Sequence, residues 1–210
     1  MYKGLKDDLN RMLLVDFNSP TEKGRFEQTG YYDKYILCSK CDNERLSKFE
    51  KYADLLLFGG KARSVPQFQN AIGPDGVKSI VVDNVDFRKL KLFLLSILWR
   101  AHISEHNFFK NINVKENAET LRLMLLEELK LTEHEFKISL VAVKTDKDLV
   151  RLVSTPRTII IGSGEVAVFF INGVFYFIDL IPSSNFSLFS KHYLTNSGKY
   201  EIMLLDGEKA

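Results

Sequence analysis

The sequence has few cysteines and almost no net charge. Two of its 210 residues are cysteine, and 29 Lys and Arg against 27 Asp and Glu leave a formal net charge of +2. Two cysteines are too few for the disulfide framework of a small secreted protein. A chain this close to neutral has no general electrostatic attraction to nucleic acid or to an anionic membrane.

The sequence also lacks a long uninterrupted apolar run. Charged residues break up positions 1–15, so this segment is not a secretory signal. The strongest helix-like apolar run, 92–99, is far too short to cross a bilayer, and glycine and polar residues interrupt the longer stretch 159–181. We therefore predict a soluble protein of a reducing compartment, the cytoplasm, with no membrane partner.

What the chain does contain is ample material for a core, with 45% hydrophobic and 12% aromatic residues. Its periodicity is mostly helical before residue 135 and mostly strand-like after it. We predict an α+β fold with a mainly helical N-terminal half around a central buried helix and a C-terminal antiparallel β-sheet. The two regions, 1–133 and 134–210, form either a helical part with a packed sheet or one single domain.

Apolar spacing predicts four helices, over residues 2–15, 43–58, 86–103 and 118–130. Asp42 is the predicted cap of the second helix, and Leu129 is predicted to face inward from the fourth. The third helix is apolar on nearly all sides, which is typical of a buried helix, and its end carries Trp99 as a core residue and Arg100 as a snorkelling one. Residues 16–32 are predicted to be loop, as is 61–83 apart from a strand at 78–82.

Alternation predicts five strands in the second half, at 136–143, 157–161, 165–171, 174–180 and 200–205. Asn172 and Gly173 separate two of them, and this pair is typical of a type I′ hairpin turn. Both faces of the hairpin 165–180 are apolar. One face is predicted to pack on the helices and the other on a further layer, on a protein partner or on a second copy.

Cys38 and Cys41 carry the one specific chemical signal. Two cysteines at i and i+3 in a tight turn can bind the same metal ion, but a structural zinc site needs four ligands. The remaining ligands would come from carboxylates or histidines, and His102 and His106 have the i, i+4 spacing of one helix face. The pair thus predicts an incomplete zinc site; no other cofactor is predicted.

Two other interpretations of the cysteines stay open. A CxxC pair at the start of a helix is also the local arrangement of thiol oxidoreductases, in which the helix N-terminus lowers a thiol pKa. The strand–helix unit expected before that motif is not evident in the first 34 residues. Inert structural thiols are the third interpretation.

The segment ILCSKCDNERLSKFEKYA resembles the second zinc knuckle of bacterial HNH endonuclease-like treble-clef proteins, in which a Leu-Cys-x-x-Cys turn opens the final helix. KLKLFLLSILWRAHIS, NFFKNINV and ETLRLMLL are similar to the region that follows the knuckle, so the resemblance covers roughly residues 28–130. It implies zinc, association with DNA or RNA, and a setting in bacterial defence or a mobile element.

The chain departs from that family before the knuckle. No cysteine or histidine precedes Cys38, although the family has its first knuckle and its catalytic histidine segment there. The resemblance therefore implies a degenerate or N-terminally truncated protein without nuclease activity as it stands, and no catalytic residue is assigned. If the chain were active, it would be a metal-dependent HNH-type endonuclease.

A modest basic excess surrounds the knuckle. Seven basic residues lie within 34–63, against four acidic ones. The candidate nucleic-acid contacts among them are Lys34, Lys40, Arg45, Lys48 and Lys51. An ordinary solvated helix face is the alternative interpretation.

Overall fold

The fold is built around a helix that is buried on nearly all sides. In the computed structural model this helix is α2 (Phe87–Ile103), and every residue from 90 to 96 is buried. Its start is fixed by Asp86, whose side chain accepts a hydrogen bond from the Lys89 N–H at 3.0 Å. The predicted central helix is confirmed. The structure describes residues 9, 11–16, 19, 23–28, 30–31, 33, 36–58, 68–73, 76–144, 152–181 and 192–207.

Two further helices pack against α2. One begins with a π-helical turn, Cys41–Leu46, and continues as α1 (Ser47–Phe58); the other is α3 (Ala118–Leu125). Leu46, Phe49 and Ala53 of the first are buried, as the predicted apolar face requires. The predicted cap at Asp42 is wrong, because the Asp42 N–H already donates to the Cys38 carbonyl at 3.0 Å. The helical segment thus starts before Asp42.

Helix α3 ends earlier than the predicted residue 130. Glu127 adopts a left-handed conformation with φ of 64°, and the Glu128 N–H donates back to the Leu123 carbonyl at 2.9 Å. This is the hydrogen bond of a Schellman motif, which terminates a helix. Leu129 consequently lies outside the helix and is 40% exposed, so its predicted inward orientation is wrong.

The α+β class is confirmed, and the sheet is mixed. Its strands are β1 (Met12–Val15), β2 (Arg25–Glu27), β3 (Phe68–Ile72), β4 (Lys78–Asp83), β5 (Ile138–Lys144), β6 (Leu152–Ser154), β7 (Arg157–Ile161), β8 (Gly164–Ile171), β9 (Val174–Asp179) and β10 (Lys199–Asp206). The order is β2-β1-β6-β8-β9-β5-β10-β4-β3, with β7 also paired to β8. The pairings β1–β6 and β5–β10 are parallel, and the others are antiparallel.

The N-terminal half contributes strands that its sequence does not predict. β1 occupies the end of the segment predicted as a helix at 2–15, and β2 lies within the predicted loop 16–32. β3 lies within the predicted loop 61–83 and pairs with the correctly predicted β4. Residues 2–8 lie outside the described residues. The strands missed are short, and their apolar residues do not alternate strictly enough to mark them.

The predicted hairpin turn is confirmed. Asn172 and Gly173 have φ of 58° and 76°, which is the positive pair that a type I′ turn requires. The turn sets the register of β8 and β9, with Ile171 opposite Val174. Alternate residues, among them Phe169, Tyr176 and Ile178, then join the core beneath the helices.

The other face of the hairpin carries the remaining alternate residues. Phe170 and Phe175 are in ring contact with centroids 4.5 Å apart, and Phe175 and Phe177 follow at 5.9 Å. Asp179 lies on this face as well, only 4% exposed.

Among the described helices, none is long and apolar enough to cross a membrane.

Burial sets the ionisation of Asp179. It raises the pKa of this carboxyl to about 6, against the smaller opposing effect of Lys137. Since the folded-state pKa lies above the unfolded value, this group favours folding at low pH, and that contribution is lost as the pH rises through 6. We expect Asp179→Asn to be more stable than the parent at pH 7.5, by about 1–3 kcal/mol.

Urea unfolding between pH 4 and 8 measures this difference. The advantage of Asp179→Asn should shrink as the pH falls from 6 to 4, because the parent carboxyl becomes neutral too. Glu105→Gln, a change at an exposed carboxylate, is the matched control and should follow the parent at each pH. If the free energies of unfolding of Asp179→Asn and the parent differ by the same amount at every pH, the pKa of Asp179 is not raised in the folded protein.

Candidate functional site

The two cysteines lie at the start of the first helical segment. The Cys41 N–H points to the Cys38 Sγ, at 3.4 Å from nitrogen to sulfur. Cys38 is exposed, Cys41 is half-buried, and both are free thiols. The π-helical turn that starts at Cys41 is of a kind often found at functional sites. The turn thus presents one sulfur to solvent at the positive end of a helix.

The two thiols have opposite pKa shifts. The backbone N–H of Cys41 and then its thiol donate to the Cys38 Sγ, and they hold the pKa of Cys38 below its usual value. The same hydrogen bond between the thiols raises the pKa of Cys41, and burial adds to the effect. Cys38 is therefore the thiol that ionises first, which makes it the better nucleophile and the first metal ligand of the pair.

The candidate nucleic-acid contacts divide into three groups. Lys40, Lys48 and Lys51 are exposed, and the last two are one helical turn apart. Arg45 is half-buried instead, and its Nη1 donates to the Leu126 carbonyl at 3.2 Å, which connects the π-helical turn to the end of α3. Lys34 lies outside the described residues.

The histidines at the end of α2 do not share a helix face. The helix ends at Ile103, and His106 instead precedes the 3₁₀ turn Asn107–Phe109, where its Nδ1 accepts the Phe108 N–H at 3.1 Å. His102 Nδ1 accepts the Val114 N–H at 3.4 Å. Within the part of the chain that the structure describes, no three His, Cys, Asp or Glu residues are grouped to hold a metal ion.

A cleft lies next to the turn that carries Cys38 and Cys41, which we call the cysteine turn. Its volume is about 780 Å³, and Ile36, Leu37 and Asp42, which flank the two cysteines in sequence, line it. Its apolar walls come from β1, β6, β8 and α2, through Met12, Leu14, Val153, Phe169, Ile171, Ile97 and Ala101. We refer to this space between α2 and the β1–β6–β8 part of the sheet as the helix–sheet cleft.

An ion pair lies in the wall of the helix–sheet cleft. Arg100 Nη1 is 2.9 Å from Glu50 Oε1, and both side chains are more than two-thirds buried, at 29% and 26% exposed. The guanidinium also donates to the carbonyl and hydroxyl of Ser96, each at 3.3 Å. Arg100 is therefore held between α1 and α2 by three acceptors, which corrects its predicted role as a solvent-directed residue.

Aromatic rings line one side of the same cleft. Tyr31 stacks on His106 with ring centroids 4.0 Å apart and contacts Phe108 at 4.9 Å, while Phe108 meets Phe109 edge-to-face at 5.0 Å. The Asp33 carboxylate, which also lines the cleft, accepts a hydrogen bond from the Ser104 hydroxyl.

The sequence does not predict the helix–sheet cleft, because its residues come from distant segments. Glu50 and Arg100, for example, belong to different helices. The one local signal is a charged residue inside the apolar run SILWRAHI, where Arg100 needs an acceptor.

Comparisons with family models, with curated proteins and with solved structures found no match to this chain. The resemblance of residues 28–130 to HNH endonuclease-like proteins stays a prediction. So does self-association through the hairpin 165–180.

The hydrogen bond between the thiols can be tested by removing its donor. In Cys41→Ala the thiol that donates to Cys38 is lost, so we expect the pKa of Cys38 to rise towards its usual value. The measurement is the pH dependence of Cys38 alkylation by iodoacetamide, followed by mass spectrometry. Ser39→Ala, between the two cysteines, is the control. If the pH dependence of Cys38 alkylation is the same in Cys41→Ala as in the parent, the Cys41 thiol does not donate to the Cys38 sulfur.

Proposed function

We propose that this chain is a zinc-binding, nucleic-acid-associated protein of the HNH-like treble-clef type, without nuclease activity of its own. The observation that carries the proposal is the geometry of the cysteine turn. Two thiols occupy one helical turn, and the Cys38 Sγ accepts a backbone N–H. Zinc binds thiolates well, and a backbone N–H that donates to the sulfur orients such a ligand.

The donor set fits half of a zinc site. Cys38 and Cys41 would supply two thiolates, and the lowered pKa of Cys38 favours the deprotonated form that binds metal. Zinc would supply charge neutralisation and a fixed geometry to the turn. The exposed lysines Lys40, Lys48 and Lys51 on the same helical segment would then contact phosphate groups.

Metal content tests the first part. Protein purified without chelators should contain zinc in proportion to chain, and both Cys38→Ser and Cys41→Ser should lose most of it, because each removes a thiolate. Ser39→Ala should keep the metal. A zinc-free protein whose thiols both react with alkylating agent would refute zinc binding, provided that added zinc also fails to protect them.

Binding of a fluorescent DNA duplex, and of the RNA of the same sequence, tests the second part. We expect Lys48→Glu with Lys51→Glu to weaken binding by about tenfold or more at low salt, since the change reverses two charges near phosphates. The control is Lys78→Glu, an exposed lysine on β4. Binding that does not change in the double variant, or cleavage of either nucleic acid with Mg²⁺, would contradict the proposal.

The asymmetry of the two thiols favours a second candidate, thiol–disulfide exchange. The Cys38 thiolate would attack one sulfur of a low-molecular-weight disulfide and displace the first thiolate. Cys41, once deprotonated, would attack the Cys38 Sγ, form the intramolecular disulfide and release the second thiolate. Oxidised glutathione should then convert the zinc-free protein to a Cys38–Cys41 disulfide, whereas a stable mixed disulfide on Cys38 would exclude this candidate.

A further inference from the structure

The helix–sheet cleft has the dimensions of a small-molecule site. Pockets that enclose small ligands commonly have volumes of about 300–1,000 Å³, and this cleft has about 780 Å³. Apolar side chains from three strands and a helix line it, among them Leu14, Val153, Ile171 and Ile97. Its walls therefore suit the apolar body of a ligand.

The charged residues around the cleft indicate which polar group such a ligand would carry. Among the described residues that line it, Asp33, Asp42 and Glu50 carry carboxylates and Arg100 carries a guanidinium. Glu50 and Arg100 neutralise each other in their ion pair. For the described lining residues the remaining formal charge is negative and comes from Asp33 and Asp42, which favours a cation over an anion in the cleft.

The aromatic side of the cleft points to the same chemistry. Tyr31, Phe108 and Phe109 all line it. His106 stacks on the Tyr31 ring and the Arg25 guanidinium lies 5.7 Å from the centre of that ring, so the aromatic contact to a ligand falls to Phe108 and Phe109. Aromatic faces combined with carboxylates are the groups that recognise ammonium ions, through cation–π attraction and charge-assisted hydrogen bonds. Asp33 is fixed beside these rings by its bond to Ser104.

We propose that the helix–sheet cleft binds a small organic ammonium ion carried on an apolar body. The apolar part contacts the strands β1, β6 and β8, and the ammonium group lies between Asp33, Asp42 and the aromatic rings. This site does not use the cysteines and is independent of the zinc and nucleic-acid roles proposed above.

Three probes of the same shape test the charge. 4-Phenylbutylamine, 4-phenylbutanol and 4-phenylbutanoate share an apolar body and differ in the head group, and calorimetry at pH 7.5 compares their affinities for the full chain. We expect the amine to bind about tenfold more tightly than the alcohol, and the carboxylate to bind weakest. Equal affinities, tighter binding of the carboxylate, or no binding of the amine at millimolar concentration would overturn the proposal.

Variants then locate the site. Asp33→Asn and Asp42→Asn should each weaken binding of the amine by about fivefold while leaving the alcohol unchanged, because only the charge differs. Val153→Phe should weaken binding of both probes, since it fills the floor of the cleft from β6. Glu105→Gln, an exposed carboxylate outside the cleft, is the matched control.

The folded state of each variant is checked by its thermal melt. Asp42 is exposed, so its variant should melt like the parent even if Asp33→Asn is destabilised by the loss of the Ser104 bond. If Asp42→Asn and Val153→Phe both melt cooperatively and both bind the amine with the parental affinity, the ligand does not occupy this cleft.

Discussion

The need to enclose α2 governs the architecture. A helix with apolar residues around its whole circumference is stable in water only when neighbours cover every side, and here α1, α3 and the sheet do so. Lys91, the charged residue of α2 that is fully buried, is enclosed in the same way. Lys91 Nζ donates to the carbonyls of Thr132 and Glu135 at 2.6 and 2.5 Å, although burial lowers the pKa of the amine to about 8. The lysine thereby fastens the segment after α3 to the central helix.

The same constraint explains where the cleft lies. In the described part of the chain, α1, α2 and α3 pack against a sheet of ten strands. The last turns of α2 extend over β1, β6 and β8, and the aromatic turn after the helix and the cysteine turn before α1 border the space between them. The cysteine turn and the cleft are neighbours because Ile36, Leu37 and Asp42, which flank the two cysteines, line the cleft near the end of α2.

The sequence predicts those helices and strands that are determined by residues close together in the chain. The all-apolar stretch and its Asp86 cap define α2, and the Asn172-Gly173 pair defines the central hairpin. The sequence does not predict β1 and β2 because both are short, and β1 in addition pairs with β6, which is distant in sequence. The cysteine motif can be predicted for the same reason as the hairpin, because each consists of neighbouring residues of a distinctive type. The ion pair between Glu50 and Arg100 could not be predicted from the sequence, because it forms only when α1 and α2 pack together.

The position of β10 has a consequence for how the molecule assembles. This strand lies between β5, with which it is parallel, and β4, with which it is antiparallel. Among the described strands, β10 alone connects β3 and β4 to the rest of the sheet. The contacts that join the two parts thus link segments far apart in the chain, and closing such long loops is slow. The pairing of residues 199–206 is therefore expected to be a late event in folding, and until it forms the facing edges of β4 and β5 are unpaired.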